Sequence, residues 1–295
     1  ARGILEPLEN HLRPECLGEL AAASVGRSYE SYWWNGHLWA SPIDAVAPVS
    51  SWRPDLMARS GIALPETFEE VLELAKRGLV AVPATPVDSL MHFFMICCAL
   101  GEEPFVSAGS VVSRETGVAA LRKLRTLVDC CARECLDRNP IQTYREMVTG
   151  DRTLYCPFAY GYSNYSRPGF APRVLRFGNL VTMGGARMLR STLGGAGLAI
   201  SRRCANLPLA APYLEFVSSA IASAGCIWIA ADNPGIERPG KMSGSISRRT
   251  VFLHLHSKRW TTPTCGHDMT GIFGFKMTQG RWCMNFSSRV EIARK

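Results

Sequence analysis

The first clear helical pattern of apolar residues begins at Phe68 and ends before Gly78. Thr67 and Glu70 stand three residues apart at its start, which is the spacing of a capping box that satisfies two backbone N–H groups of the first turn. Apolar residues spaced three or four apart follow, so that one face of the segment is apolar. The pattern predicts an amphipathic helix that Gly78 terminates.

A longer pattern of the same kind runs from Ser113 to Leu136 and predicts a second amphipathic helix, closed by Asn139-Pro140. Short apolar runs of the length of buried strands lie between the helical patterns. The other predicted elements are strands at 79–83 and 197–201 and a helix over 206–224. Pro212 lies inside this helix and is expected either to bend the helix or to shorten its first turn. Helices that alternate with short apolar runs indicate an α/β architecture.

The composition is that of a globular protein. The chain has 295 residues, of which 47% are apolar and 20% are charged, enough for one large domain or two modest ones. No segment has the length and apolar character of a membrane-spanning helix. No signal peptide is recognisable, and the sequence begins with Ala1 rather than Met, so we expect a processed or truncated product.

The net positive charge is confined to the end of the chain. Residues 236–295 hold 11 Lys and Arg against 3 Asp and Glu, whereas residues 1–235 hold 22 of each and are neutral. The basic residues stand singly among Ser, Thr and Gly, without a basic helical stripe or a nucleic-acid motif. This distribution argues against a nucleic-acid partner.

Eleven cysteines are a high and odd number, and exported proteins usually pair or avoid their thiols. Cys97 and Cys98 lie in an apolar run, and Cys130, Cys131 and Cys135 continue the apolar spacing of the second predicted helix. We interpret all five as thiols of a hydrophobic core. Cysteine usage therefore mildly opposes an oxidising compartment.

Four segments, in order, resemble the extracellular solute-binding proteins that serve sugar-type ABC importers. Residues 36–45 have the sequence GHLWASPIDA and 52–57 the sequence WRPDLM, similar to a strand–Pro–strand pattern followed by a YYxxDLL turn. Residues 61–70, GIALPETFEE, resemble a helix entry of the form AGLxPPxTWDEL. Residues 191–201, STLGGAGLAIS, resemble a GGxxxxIS strand, and the helix predicted after it resembles an AxxFxxF pattern.

The resemblance spans residues 1–230 and implies a type II periplasmic-binding-protein fold, in which two α/β lobes joined by a hinge flank a ligand cleft. The first lobe would comprise 1–42 and 198–230 and would be incomplete, because the family's first strands are absent. The second lobe would comprise 43–197 and 231–295. The basic end of the chain matches the family poorly.

The implied function is capture of a sugar or a related polyhydroxylated solute for import, without catalysis. Such a protein works in the periplasm or another extracytoplasmic place, free or lipid-anchored, and delivers its ligand to the permease subunits of an ABC transporter. We expect a monomer that binds a small molecule and uses no cofactor, catalytic residue or metal.

The candidate ligand contacts combine aromatic rings, hydroxyls, a carboxylate and glycines, because a sugar presents apolar faces and hydroxyl edges. They are Trp39, Asp44, Tyr160, Tyr162, Ser163, Gly194 and Gly195. The resemblance places Asp44 at a polar ligand contact and the tyrosine-rich segment in a binding loop. Trp39 belongs to an aromatic cluster with Tyr29, Tyr32, Trp33 and Trp34.

Several of these residues also have a purely structural interpretation. Asp44 follows a proline by two residues and suits a turn or cap. Gly194 and Gly195 suit a bulge or a tight strand entry, and Trp39 suits core packing. Asp88 is either a contact in the second lobe or the N-cap of the following helix, and we favour the cap.

A metal-dependent α/β enzyme is the alternative function. His254, His256, Cys265 and His267 offer imidazole and thiolate ligands, and alternation on a strand would direct both members of each pair to one side. Their spacing fits no zinc pattern that we can justify. Ligand capture without catalysis therefore stays the favoured interpretation.

Overall fold

The computed structural model describes residues 3–106, 109–183 and 189–219, together with the backbone of three later strands. The chain divides into two compact units. Within the described ranges, the first unit contains 3–46 and 193–219, and the second contains 47–106, 109–183 and 189–192.

Helices and strands alternate along much of the chain. The helices are α1 (Pro14–Ala23), α2 (Pro54–Ser60), α3 (Phe68–Lys76), α4 (Pro86–Ala99), α5 (Arg114–Asp129), α6 (Pro140–Thr149) and α7 (Leu207–Ser218). The strands are β1 (Trp33–Trp34), β2 (His37–Leu38), β3 (Ser41–Val46), β4 (Pro48–Trp52), β5 (Tyr155–Tyr160), β6 (Arg176–Gly178), β7 (Ser191–Thr192), β8 (Gly194–Leu198), β9 (Phe252–Leu253), β10 (Gly274–Thr278) and β11 (Arg281–Asn285). Short 3-10 helices occur at Leu8–Asn10, Glu30–Tyr32, Arg133–Asp137 and Ser163–Ser166.

The first unit is built on the antiparallel pair of β3 and β8, against which α7 packs. Asn206 caps α7, since its side chain accepts a hydrogen bond from the backbone N–H of Leu209 at 3.2 Å. Pro212 lies inside this helix. The buried core of the unit consists of Leu8, Leu12, Leu38, Leu198, Ile200 and Leu214.

The second unit contains an antiparallel sheet in the order β5-β4-β6 and the helices α2 to α6. Its larger core is an apolar cluster whose most buried members include Phe68, Val71, Ile96, Leu127 and Phe158. A smaller core gathers aromatic and sulfur-containing side chains, with Tyr144, Met147 and Cys156 fully buried. The two cores share the strand β5, which lies beside both.

Strand β5 contributes to both cores because successive side chains of a strand point to opposite faces, and its pairing with β4 contains one shift of register. Cys156 and Ala159 are three residues apart on β5, whereas their partners on β4 are two residues apart, as in a β-bulge. After the bulge, Phe158 faces the larger core and Ala159 the smaller one. Alternation along a strand then places Tyr160 on the same side as Phe158.

Arg53, at the junction of β4 and α2, is completely buried. Its Nε and Nη2 atoms donate to the two carboxylate oxygens of Asp55, each at 2.8 Å, and Nη1 donates to the carbonyls of Met147 and Gly150 at the end of α6. The hydrogen bonds from Arg53 lower the pKa of Asp55 to about 2. A buried arginine is tolerated here because its donors have acceptors.

The first sequence-predicted helix is confirmed as α3. The Thr67 side chain accepts from the backbone N–H of Glu70 at 3.2 Å, and the Glu70 carboxylate accepts from the backbone N–H of Thr67 at 3.3 Å. The predicted capping box is therefore present.

The second predicted helix is shorter than its apolar pattern suggested. Helix α5 ends at Asp129, and the 3-10 helix Arg133–Asp137 occupies most of the remaining pattern. The interpretation of Asn139-Pro140 as a helix end is wrong, because Asn139 caps α6 and Pro140 is its first residue.

The predicted strand over 79–83 is an extended segment that joins β5 through a single bridge, Val80 to Tyr155. Val80, Ala81 and Val82 are buried, and Leu79 is partly buried. The strand predicted at 197–201 lies earlier, as β8. The core thiols are confirmed for Cys97, Cys98 and Cys135, which are buried and free.

No helix in the described part of the chain is long and apolar enough to cross a membrane. The lobe boundaries proposed from the sequence stay a prediction, since most of 231–295 lies outside the described residues.

We predict that Arg53→Met lowers the free energy of unfolding by about 3 kcal/mol, because it leaves Asp55 and two carbonyls without their buried donor. Chemical denaturation followed by circular dichroism measures the change. Arg125→Met is the matched control, since Arg125 is 82% exposed, and we expect it to stay within about 0.5 kcal/mol of the wild type. Equal effects of the two substitutions would contradict the stabilising role of Arg53.

Candidate functional site

In the first unit, the pairing of β3 with β8 brings Asp44 and the predicted glycines together. Asp44 lies opposite Ala196, next to a register shift in β3, and Gly195 lies opposite Ala45. Gly195 has a φ of +139°, and a Cβ atom there would collide with the backbone carbonyl of Asp44. The close approach of the two strands is thus sufficient to require glycine at this position. A role of Gly194 and Gly195 in ligand binding stays a prediction.

The phenol of Tyr32 is a further polar group near Asp44. Its ring lies over Gly197, where a Cβ atom would come within 2.5 Å of two ring carbons. Burial raises the pKa of Tyr32, and the charge of Asp44 raises it further. The hydroxyl therefore stays protonated at neutral pH and remains a hydrogen-bond donor. The sequence placed Tyr32 in an aromatic cluster but did not single it out.

Trp39 follows β2 and is half-buried. Its indole N–H donates to the carbonyl of Trp34 at 3.0 Å, and its ring meets that of His37 edge to face, with 5.5 Å between the centroids. These two contacts fix the ring while leaving part of its surface exposed. A fixed, partly exposed indole is suited to contact the apolar face of a ring-shaped ligand.

In the second unit, Tyr160 ends β5 and is half-buried. Its hydroxyl lies 3.1 Å from the hydroxyl oxygen of Thr192 on β7. Burial raises the pKa of Tyr160 to about 12, the Thr192 hydrogen bond lowers it and the nearby charge of Asp88 raises it. The phenol is therefore neutral under physiological conditions.

Tyr162 and Ser163 follow β5 and are also half-buried. Tyr162 packs against the smaller core, with its ring 6.4 Å from that of Tyr144, and Ser163 begins a 3-10 helix. The hydroxyl of Tyr144 donates to the carbonyl of Tyr160 at 3.1 Å. The buried phenol of Tyr144 thus fixes the backbone at the start of the segment that carries the three predicted contacts.

The sequence allowed two interpretations of Asp88, a contact in the second lobe or an N-cap, and the favoured interpretation as an N-cap is wrong. The N-cap of α4 is Thr85, and Asp88 lies in the first turn, where the Thr85 hydroxyl donates to its carboxylate. Asp88 is only 3% exposed. Burial raises its pKa to about 6, against the lowering effect of the Thr85 hydrogen bond. A carboxyl group that titrates near neutral pH is typical of functional sites.

The predicted contacts thus form two groups, each within its own unit. Trp39, Asp44, Gly194 and Gly195 lie in the first unit, where Tyr32 joins them. Tyr160, Tyr162 and Ser163 lie in the second, where Asp88 and Thr192 join them. Both groups offer hydroxyl oxygens beside aromatic rings, and the first also offers the carboxylate of Asp44, which suits an uncharged ligand rich in hydroxyl groups.

The residues of the alternative metal site, His254, His256, Cys265 and His267, lie outside the described part of the chain. Among the described residues, no group of three or more His, Cys, Asp or Glu side chains is placed to hold a metal ion.

No known family model and no curated protein sequence matches this chain. Its structure, in contrast, is similar to those of many solute-binding proteins. MalE3 of T. maritima, solved with maltose bound, is 18% identical with a TM-score of 0.66, and the match covers 79% of this chain and 63% of MalE3.

Two further neighbours are described as ABC transporter solute-binding proteins. The protein from Thermotoga lettingae TMO, bound to α-D-tagatose, is 16% identical with a TM-score of 0.65, and the match covers 80% of this chain and 63% of that one. The protein from Agrobacterium radiobacter K84, in complex with ribitol, is 19% identical with a TM-score of 0.64, and the match covers 80% and 62%.

This chain therefore spans somewhat less than two thirds of the length of these proteins. At such low identity the likeness establishes the fold and leaves the ligand open. The α/β architecture inferred from the sequence is confirmed, and over most of its length the chain has the fold of the solute-binding proteins of ABC transporters.

Proposed function

We propose that this protein captures a neutral sugar or a related polyhydroxylated solute for an ABC importer and does not transform it. The observation that carries the proposal is the coincidence of a solute-binding-protein fold with two groups of hydroxyl, carboxylate and aromatic side chains. In the proposed site, Asp44 accepts hydrogen bonds from adjacent ligand hydroxyls, and Tyr32 donates to a ligand oxygen.

The remaining predicted residues are proposed as ligand contacts within their own units. In the first unit Trp39 offers a flat apolar surface, and in the second unit Tyr160, Tyr162 and Ser163 offer hydroxyls that both donate and accept. None of these groups needs to be charged except Asp44, so the site favours neutral ligands. The proposed partners are the permease subunits of a transporter, and the proposed location is extracytoplasmic.

Ligand-induced stabilisation tests this function directly. We expect at least one of maltose, α-D-tagatose, ribitol and D-mannitol to raise Tm, by the equivalent of about 2.7 kcal/mol when present at about 100 times its Kd. Differential scanning fluorimetry measures the shift, and chromatography of the recovered solute should show it unchanged. A panel without any shift, or consumption of the solute, would refute the proposal.

We predict that Asp44→Asn and Tyr162→Phe each weaken binding of the stabilising solute by about tenfold, the loss of one or two hydrogen bonds to a polar ligand. Isothermal titration calorimetry measures the change. The matched controls are Asp129→Asn and Tyr213→Phe, because Asp129 is exposed on α5 and Tyr213 is half-exposed on α7. Wild-type affinity in both site variants would remove these two residues from the proposed site.

A further inference from the structure

The interface between α4 and β5 aligns two pairs of side chains. The rings of His92 on α4 and Phe158 on β5 are in contact, with 4.5 Å between their centroids. Four residues back along the helix, about 6 Å, is Asp88. Two residues forward along the strand, about 6.6 Å, is Tyr160, on the same side as Phe158. The extended segment at 79–83 pairs with β5 in parallel through Val80 and Tyr155, so α4 begins near the end of β5 and runs back along it. Asp88 is therefore on the side of Tyr160, and the influence of its charge on that phenol agrees with this placement.

Asp88 is poorly supported for a buried carboxylate. An ionised carboxylate has about four acceptor positions, and the Thr85 hydroxyl is the one hydrogen-bond donor that the described residues provide for it. A buried charge of this kind costs folding free energy, so its presence needs an explanation other than stability.

The hydroxyl pair of Tyr160 and Thr192 supplies that explanation. Either oxygen can donate to the other across their 3.1 Å separation. A negative charge on Asp88 attracts the positive end of the Tyr160 O–H dipole. With the phenol hydrogen turned toward the carboxylate, the Thr192 hydroxyl would donate to the phenol oxygen, and the second lone pair of that oxygen would accept from another donor.

We propose that Asp88 is a positioning residue that acts through Tyr160, so that the phenol oxygen accepts a hydrogen bond from a hydroxyl of a bound sugar or polyol. The proposal rests on the proposed function and names the donor hydroxyl as the ligand group that this part of the site selects. Asp88 itself is too deeply buried to contact the ligand, and its effect is transmitted through the orientation of Tyr160.

The ionisation of Asp88 gives this arrangement a pH dependence. Its pKa is raised to about 6, first of all by burial. In the described part of the chain, His92 one turn along α4 and Tyr160 on β5 are titratable groups near it. Burial lowers the pKa of His92 to about 3 and raises that of Tyr160 to about 12, so neither titrates between pH 5 and 8. A step in affinity near pH 6 can thus be assigned to Asp88.

The test measures Kd at about pH 5 and pH 7.5 for whichever of maltose, ribitol and D-mannitol stabilises the wild type. These probes have no titratable group in this range. We expect the wild type to bind about threefold to tenfold more tightly at the higher pH, the value of one oriented hydrogen bond. Asp88→Asn should lose this dependence and bind at both pH values as the wild type does at pH 5.

A double-mutant cycle distinguishes positioning from a general structural effect. In a Tyr160→Phe background, Asp88→Asn should have no further effect, because the hydroxyl through which Asp88 acts is gone. Asp129→Asn, exposed on α5, should keep the full wild-type pH profile. An unchanged pH profile in Asp88→Asn, or an equal loss of affinity in the Tyr160→Phe background, would overturn the proposal.

Thermal melts show whether the variant is folded and whether Asp88 titrates in the folded protein. The raised pKa means that the folded state binds more protons than the unfolded state between about pH 4 and 6. Ionisation of Asp88 therefore lowers the stability of the wild type as pH rises. Relative to the Tm of the wild type, the Tm of Asp88→Asn should be higher at pH 7.5 than at pH 4. If the wild type binds a probe and Asp88→Asn has the same Kd and pH profile, this inference is wrong and the proposed function stands. If the wild type binds no probe, the proposed function is wrong as well.

Discussion

The buried guanidinium group of Arg53 connects two separate parts of the second unit through hydrogen bonds. The donors of Arg53 connect the start of α2, through Asp55, with the carbonyls at the end of α6. The chain continues from α6 into β5 after only a few residues, so these hydrogen bonds fix where that strand begins. Tyr160 lies at the other end of β5. Its location therefore depends on the hydrogen bonds of Arg53, which is far from it in the sequence.

Local signals in the sequence were sufficient where the structure depends on local hydrogen bonds. Thr67 and Glu70 identify the start of α3 because a capping box is complete within four residues. The end of α5 was not recognisable, since a 3-10 helix continues nearly the same apolar spacing as an α-helix over so short a segment. Asn139-Pro140 is equally suited to close one helix or to begin another, and only the packing of α6 decides.

The candidate site shows the same division between local and distant causes. Asp44 and the glycines were recognisable from their order along the chain, and strand pairing accounts for their proximity. Tyr32 approaches Asp44 because Gly197 leaves room for its ring, which is a property of the fold. The sequence offered Asp88 as a ligand contact or as an N-cap, but its burial and its raised pKa are properties of the fold that an acidic residue in a first helical turn does not reveal.

The bulge in β5 adds one residue to the strand without changing the faces of the residues that follow it. Cys156 and Ala159 both pack in the smaller core although they are three positions apart, because two residues of β5 oppose one residue of β4 between them. Removing one residue at the bulge would therefore restore regular pairing and leave Phe158 and Tyr160 on their present side. A one-residue slip of register along the rest of the strand, in contrast, would turn the phenol of Tyr160 toward the smaller core, away from Asp88 and Thr192.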